Sequence, residues 1–177
     1  MKIRTTCPDA AEGGILLATR HILVKGDELL LKRSKQVTKF DKRLHTMLDD
    51  MWDTLREAQG VGLAAPQIGV LKRVFIADDG ETKLECINPV ILSTEGEREV
   101  REGCLSLPDL VGYVVRPESV TMRAQDRDGN FFTVTAGDLL GQCLCHEYDH
   151  LDGILYDTKV TRFVDPEEEN AEPAGEE

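Results

Sequence analysis

Apolar residues recur at spacings of three and four along residues 40–55, the period at which side chains share one face of an α-helix. The stripe consists of Phe40, Leu44, Met47, Leu48, Met51 and Leu55. This pattern predicts a helix from Phe40 to Ala58, with Thr38 as its N-cap and Gln59-Gly60 at its end. Because polar residues surround the stripe, we assign its side chains to the hydrophobic core.

Shorter runs of β-branched and alternating residues follow this helix and predict strands. The first three strands are predicted at Val74–Ala77, Lys83–Asn88 and Val90–Leu92, with a turn at Asp78-Asp79-Gly80. Three further strands are predicted at Tyr113–Arg116, Ser119–Asp126 and Asn130–Val134. We expect these last three to form an antiparallel meander, with Arg127-Asp128-Gly129-Asn130 as its hairpin turn.

A second helix is predicted from Ala136 to Leu151. Thr135 is its predicted N-cap, Asp138 lies at the third helical position, and Gly153 stands where a left-handed residue commonly ends a helix. An early helix, a series of strands and a final helix predict an α+β fold. We expect antiparallel sheets to pack around the second helix.

The composition is that of an ordinary globular protein, since 41% of the 177 residues are hydrophobic and 31% are charged. The net charge of −12 argues against a nucleic-acid surface, DNA included, and against an anionic-membrane surface, since either would need clustered Lys and Arg. Seven acidic residues and no basic ones lie in residues 165–177, which leaves −5 of the net −12 for residues 1–164. This composition predicts a disordered tail that is dispensable for chemistry.

Neither a membrane span nor a secretory signal is expected, because no run approaches the roughly 20 apolar residues of a span. The five cysteines are odd in number and irregularly spaced, which favours reduced thiols in the cytoplasm over a disulfide scaffold.

The second predicted helix carries His146-Glu147-Tyr148-Asp149-His150, an HExxH pattern. Two imidazoles four residues apart lie on one helix face, about one turn apart, so both can bind the same metal ion. The glutamate beside the first histidine can reach a water bound to that ion. Since the chain has only four histidines, two of them in one pentapeptide favour a metal site over a solvated helix end.

A catalytic site of the zinc type has three protein ligands and one open position, so a third ligand must come from elsewhere. The candidates are a cysteine, an aspartate or a glutamate. Cys143 and Cys145 share the helix with His146, but Cys145 faces about 100° away from it. Both fit better as buried small apolar side chains. Cys104 follows Gly103 in a segment whose irregular backbone can bring a thiolate close to a metal.

Two further features lie outside the helices. Residues 60–69, GVGLAAPQIG, contain small residues that permit close backbone approach to a ligand. Within them, Gln67 offers an amide donor that can stabilise an oxyanion. Glu102 and Arg116 are expected either to pair, holding the cysteine segment, or to be two separate surface charges.

GVGLAAPQIG, EGCLSLP at residues 102–108 and HEYDH at residues 146–150 together resemble the three motifs of bacterial peptide deformylase, in the same order. The resemblance covers about Arg20 to Val164. It implies a metal-dependent hydrolase that removes the N-formyl group from the N-terminal formylmethionine of newly made polypeptides. In this reaction a metal-bound water attacks the formyl carbon, and a glutamate acts as general base.

The resemblance also implies a role for individual residues. The positions that match metal ligands are Cys104, His146 and His150. Glu147 matches the catalytic acid–base. Gln67 and the backbone N–H of Leu105 match the groups that hold the developing oxyanion. The positions that match backbone pairing with the substrate as an added strand are Val61, Gly62 and Gly103. Leu139 and Cys143 match the wall of the methionine pocket.

The implied cofactor is one divalent metal ion, with ferrous iron (Fe2+) expected in vivo and zinc or another divalent metal as the alternative. Such an ion lowers the pKa of a bound water to about 7, and a thiolate ligand still permits iron. The implied partner is a formyl-Met nascent peptide. Ribosome docking stays open, because family members that dock often end in a basic helix and this chain ends in an acidic segment.

The resemblance divides the chain into an N-terminal extension of unassigned role (1–20), a deformylase-like catalytic domain (21–164) and the acidic tail (165–177). Two other functions compete with deformylation. A zinc endopeptidase with an HExxH helix normally takes a His or Glu further downstream as its third ligand, and no histidine follows His150. A non-catalytic binder of N-terminal peptides would not need Glu147 and all three ligands, which are present.

Overall fold

A computed structural model describes residues 18–164 of the protein. The acidic tail (165–177) and residues 1–17 of the predicted N-terminal extension lie outside the described residues. In the described part of the chain, no helix combines the length and the apolar character needed to cross a membrane.

The first helix, α1, spans Lys42–Ala58 and starts two residues later than predicted. It buries the apolar stripe that predicted it except Phe40, which precedes the helix and is half-buried. Its N-cap is Asp41 and not Thr38, because the Asp41 carboxylate accepts hydrogen bonds from the backbone N–H groups of Arg43 and Leu44. The helix ends at Gln59, which adopts the left-handed conformation with φ 52°.

In the part of the chain that the structure describes, eight strands form two antiparallel sheets, so the predicted α+β class is confirmed. The strands are β1 (Gly62–Ala64), β2 (Val74–Asp78), β3 (Lys83–Glu95), β4 (Arg98–Cys104), β5 (Leu107–Arg116), β6 (Ser119–Gln125), β7 (Phe131–Gly137) and β8 (Val160–Phe163). The larger sheet has the order β1-β2-β3-β6-β7 and the smaller one the order β4-β5-β8. Short 3-10 helices lie at Glu28–Leu31, Ala65–Ile68 and Tyr156–Thr158.

The predicted three-stranded meander is wrong in its first pairing, whereas β6 and β7 do form the predicted hairpin through residues 127–130. β5 pairs with β4 and β8 in the smaller sheet, whereas β6 pairs with β3 and β7 in the larger one. Pro117, between β5 and β6, has no N–H for a sheet hydrogen bond, and the chain changes sheets there.

The two strands predicted on either side of Pro89 are one strand, because β3 accommodates this proline in an irregularity between Ile87 and Val90.

The second helix, α2, spans Asp138–Leu151 and starts two residues later than predicted. Thr135 belongs to β7 and is not the N-cap, a position that Gly137 takes. Gly153 follows the helix with φ 74°, which confirms the predicted left-handed residue. The helix lies against β1, β2, β6 and β7, all of which belong to the larger sheet.

Candidate metal centre

The buried face of α2 carries His146, Glu147 and His150, whose side chains are 8%, 4% and 1% exposed. The two imidazole rings follow one another along the helix with centroids 5.0 Å apart and a T-shaped arrangement. A helix that packs over strands on this face thus removes both rings and the carboxyl group from bulk water.

Cys104 ends β4 at an irregular register step, where it opposes Leu107 across a tight turn into β5. This turn brings the sulfur to α2, with Cys104 Sγ 3.3 Å from His150 Nε2. One ligand atom from each of Cys104, His146 and His150 lies within 4.8 Å of the other two, and no other such group occurs among residues 18–164. Cys143 and Cys145 are buried outside this cluster, as the sequence indicated.

Glu102 orients His146 from the side opposite the cysteine. His146 Nδ1 lies 2.9 Å from Glu102 Oε2, and Arg116 donates two hydrogen bonds to the same carboxylate at 2.7 and 2.9 Å. Of the two alternatives for Glu102 and Arg116, the structure therefore has the ion pair, and it is buried. Burial would raise the pKa of Glu102, but the hydrogen bonds from His146 and Arg116 lower it to about 2.

The charged network continues away from the cluster, and sequence reasoning missed this part. Arg116 Nη1 donates to Asp149 Oδ2 at 2.6 Å, and Lys159 Nζ reaches the same carboxylate. Tyr156 packs 5.7 Å from the His146 ring and donates its hydroxyl to the Leu110 carbonyl. The sequence offered one signal for a carboxylate near the histidines: a metal-binding histidine tends to donate the N–H of its second ring nitrogen to a carboxylate.

The electrostatics of the cluster fit a divalent cation. Burial lowers the pKa of His150 well below its usual value, so its imidazole is neutral and can act as a ligand. His146 lies between Glu102 and Cys104, and these groups raise its pKa to about 10 although burial by itself would lower it. The negative potential around His146 also favours a metal cation at its Nε2, the ring nitrogen that Glu102 does not contact. One sulfur and two imidazole nitrogens suit zinc or ferrous iron.

Glu147 has no hydrogen-bond partner at Oε2, and burial raises its pKa to about 7. A carboxyl group that titrates near neutrality can both take up and release a proton at physiological pH. Its unpaired oxygen is therefore available to a small molecule beside the cluster.

A cavity of about 470 Å³ opens beside the cluster. Every residue that the sequence assigned to the site lines this cavity except His150, which lies behind the cysteine. The lining residues to which the sequence analysis assigned no role in the site itself are Gly60, Arg101, Glu102, Pro108 and Gln142.

Gln67 is held rigidly at one side of the cavity. Its Oε1 accepts a hydrogen bond from the Ala64 N–H at 2.8 Å, which fixes the orientation of the amide. Its Nε2 donates to Ser106 Oγ at 3.2 Å and lies 3.6 Å from Cys104 Sγ. Ser106, which is fully buried, is a positioning residue that the sequence analysis did not single out.

The cavity lies between two strands that each have a free edge. β1 is the outer strand of the larger sheet and β4 the outer strand of the smaller one. Val61 and Gly62 border the cavity at β1, and Gly103 borders it at β4. An extended peptide can therefore add its backbone hydrogen bonds to an open strand edge beside the cluster.

Replacing Arg116 with alanine is expected to lower the free energy of unfolding by about 3–5 kcal/mol, because it leaves the buried Glu102 carboxylate without its guanidinium partner. Arg56→Ala is the matched control, since Arg56 forms an exposed ion pair with Asp53 that should contribute about 0–1 kcal/mol. Urea unfolding of both variants measures the difference. Equal, small losses would show that the buried pair does not organise the fold.

Comparisons with known proteins agree on one family. The family model described as polypeptide deformylase matches residues 19–165. A peptide deformylase of Caldicellulosiruptor bescii is 54% identical over 152 residues, covering 86% of this chain and 92% of the relative. One from Acetivibrio thermocellus is 52% identical, covering 86% and 89%. The crystal structure of a peptide deformylase from Legionella pneumophila has a TM-score of 0.78 at 45% identity, covering 85% of this chain and 89% of that one.

Proposed function

Because the chain belongs to the polypeptide deformylase family, and is thus a hydrolase that acts on N-formyl groups, we propose that it uses a metal ion held by Cys104, His146 and His150. The observation that carries the proposal is the convergence of these three ligand atoms within 4.8 Å, next to Glu147. The substrate is the formylmethionine at the N-terminus of newly made polypeptides.

The ion is divalent, and we propose ferrous iron or zinc. When bound, it supplies the Lewis acidity that makes water a nucleophile at neutral pH. The three ligands come from two elements, α2 and the end of β4, whose relative position is held by the Glu102–Arg116–Asp149 network. Glu102 also keeps the His146 ring in one orientation, which favours binding through Nε2.

Glu147 is the proposed acid–base. Its carboxylate takes a proton from the attacking water and then delivers it to the amine that leaves with the peptide. The raised pKa of this buried group, about 7, supports both steps because neither protonation state is strongly disfavoured at neutral pH. Formate and a free N-terminus are the products.

Gln67 and the backbone N–H of Leu105 are proposed to hold the formyl oxygen as it becomes an oxyanion. The rigid orientation of the Gln67 amide supports this role, since preorganised donors stabilise developing charge without reorganising during the reaction. Both residues line the cavity beside Cys104.

The substrate peptide is proposed to bind as an added strand along Val61, Gly62 and Gly103, in the gap between the two free strand edges. Leu139 and Cys143 line the same cavity and form an apolar wall for the methionine side chain. Nascent chains are made in the cytoplasm of bacteria, where we propose that the protein acts.

Formate release from formyl-Met-Ala, with the metal content measured in the same sample, tests the function. We expect formate release from this dipeptide, little hydrolysis of acetyl-Met-Ala, and no cleavage of an internal peptide bond. Protein that contains stoichiometric metal yet releases no formate would contradict the proposal. Cleavage within an unblocked peptide would favour the endopeptidase alternative.

Gly62→Ala is expected to lower kcat strongly while the protein stays folded. A Cβ at this position would lie 2.5 Å from Glu147 Oε1 and 2.6 Å from Cys143 Sγ, so the proposed acid–base must move. A misplacement of about 1 Å can cost on the order of 100-fold in rate.

Gly103→Ala is the matched control, because its Cβ would meet nothing closer than the Leu110 carbonyl oxygen at 3.9 Å. This variant should keep kcat within a few-fold of the parent. Steady-state kinetics with formyl-Met-Ala compares the two variants. Full activity of Gly62→Ala would show that Glu147 is not held against this glycine during catalysis.

A further inference from the structure

A second, larger groove, of about 940 Å³, lies around the N-terminus of α1. Its walls come from the segment that precedes the helix, from the first turns of the helix and from the residues just before β2. The basic residues that line it are Arg20, Lys35, Lys39, Lys42, Arg43 and Lys72. Among residues 18–164, Asp41 is the only acidic residue in the same lining.

The positive charge of this groove is only partly neutralised within the described part of the chain, by Asp50 and by Asp41, which feels the charges of Lys72 and Arg43. Arg20 pairs with the largely buried Asp50. The other five basic residues are exposed, and none of them has an ion-pair partner among residues 18–164. Asp41 is occupied as the N-cap of α1, where backbone hydrogen bonds hold the pKa of its carboxyl below the usual value.

The placement of these charges opposes local helix stability. The N-terminal end of a helix carries partial positive charge, so acidic residues are stabilising there and basic ones are not. The first turn of α1 nevertheless holds Lys42 and Arg43 and no acidic residue. Departures from a local stability rule are typical of functional surfaces. Here Lys42 and Arg43 add to the positive potential of the groove, while the Asp41 carboxylate offsets that of the helix end itself.

We propose that this basic groove binds the phosphodiester backbone of RNA. A row of exposed, unpaired cations matches a row of phosphates, and the remainder of a chain with net charge −12 repels a polyanion from other faces. Within the described stretch of the chain no aromatic side chain lines the groove, so we expect it to contact the backbone and not to stack on bases. The choice of RNA among polyanions rests on the proposed function, since newly made polypeptides emerge from an RNA-rich particle.

The test measures binding of a fluorescein-labelled single-stranded RNA by fluorescence anisotropy as a function of salt. If all five unpaired cations engage phosphates, log K should fall with log[salt] with a slope of about −3.5, at about −0.7 per phosphate. The triple variant Lys39→Gln, Arg43→Gln, Lys72→Gln should reduce the slope to about −1.4. A homopolymer and a mixed sequence should bind alike.

The matched control is the triple variant Arg56→Gln, Lys83→Gln, Arg123→Gln, which removes the same charge from exposed sites outside the groove. It should keep the slope of the parent. All proteins should have the same circular dichroism spectrum and the same formate release from free formyl-Met-Ala, because neither set of residues lines the cavity beside the cluster.

Three outcomes would overturn the proposal. These are equal salt slopes for the two triple variants, absence of RNA binding at low salt, and tighter binding of the parent to polyglutamate or to phosphatidylglycerol vesicles than to RNA. The deformylation assay is separate from these measurements. A protein that binds RNA through the groove but releases no formate would contradict the proposed function and leave RNA binding by this groove supported.

Discussion

Cys104→Ala protein is expected to emerge from purification without its divalent metal. The two histidines of α2 would bind the proposed ion from the helix side only. Cys104 would bind it from the smaller sheet, since its Sγ lies 3.3 Å from His150 Nε2. Changes next to metal ligands generally cost about 10–100-fold in metal affinity, and the loss of a ligand itself costs more. Metal analysis of the purified protein measures the effect.

Cys143→Ala and Cys145→Ala are the matched controls and should retain stoichiometric metal. Both thiols are buried, yet neither belongs to the group of ligand atoms. Cys143 donates weakly to the Val61 carbonyl and lines the cavity. Its loss should raise KM for formyl-Met substrates by a modest factor through a small void in the pocket wall. If Cys104→Ala keeps its metal while either control loses it, the assigned centre is wrong.

Glu147→Ala is expected to bind metal as the parent does but to lose activity by at least about 100-fold, the usual lower range of general acid–base contributions. The prediction depends on the position of Glu147 beside the ligand cluster with Oε2 unpaired. Formate release and metal content are measured on the same preparation. Glu147→Gln should show the same loss, because it keeps the shape and removes the titrating group.

Two controls separate catalysis from folding for Glu147. The thermal unfolding midpoint of Glu147→Gln should not fall, since burial disfavours the charged carboxylate that this change removes. Gln142 also lines the cavity but hydrogen-bonds to the Arg101 carbonyl and is assigned no step of the reaction, so Gln142→Ala should lose little activity. Retained activity in Glu147→Ala would assign the proton transfer to another group.

The helical features of the fold were accessible from the sequence. The stripe of α1 and the HExxH spacing of α2 repeat at the helical period, which backbone geometry imposes without help from distant residues. The helix starts were less certain, because Thr38 and Asp41 can both cap α1 and only the folded backbone places the Asp41 carboxylate against two N–H groups. Thr135 is not the N-cap of α2, because β7 extends through Thr135 and pairs there with β6.

The strands show where local pattern stops being sufficient. Alternation identifies a strand but not its partner. The sequence therefore predicted a meander, whereas the chain leaves one sheet for the other at Pro117. Of the edge strands that border the cavity, β1 has only three residues, and β4 is dominated by charged residues, so neither shows an alternation of apolar side chains. Pairing is decided by which faces the two sheets bury against α2, and this is a property of the whole fold.

The sequence by itself determined the chemistry of the cluster: two histidines and a glutamate on one helix turn, and a cysteine beside glycine within a recognisable motif. The family resemblance indicated Cys104 as the third ligand, but only the tertiary structure brings it to the histidines, because Cys104 and His150 are 46 residues apart and no local rule joins them. It also decided that Glu102 orients His146 and that cations from three separate segments form one groove. The physical reason is common to all three. Side-chain type and spacing act within a helix turn or a strand, whereas convergence of distant residues follows from packing the two sheets around α2.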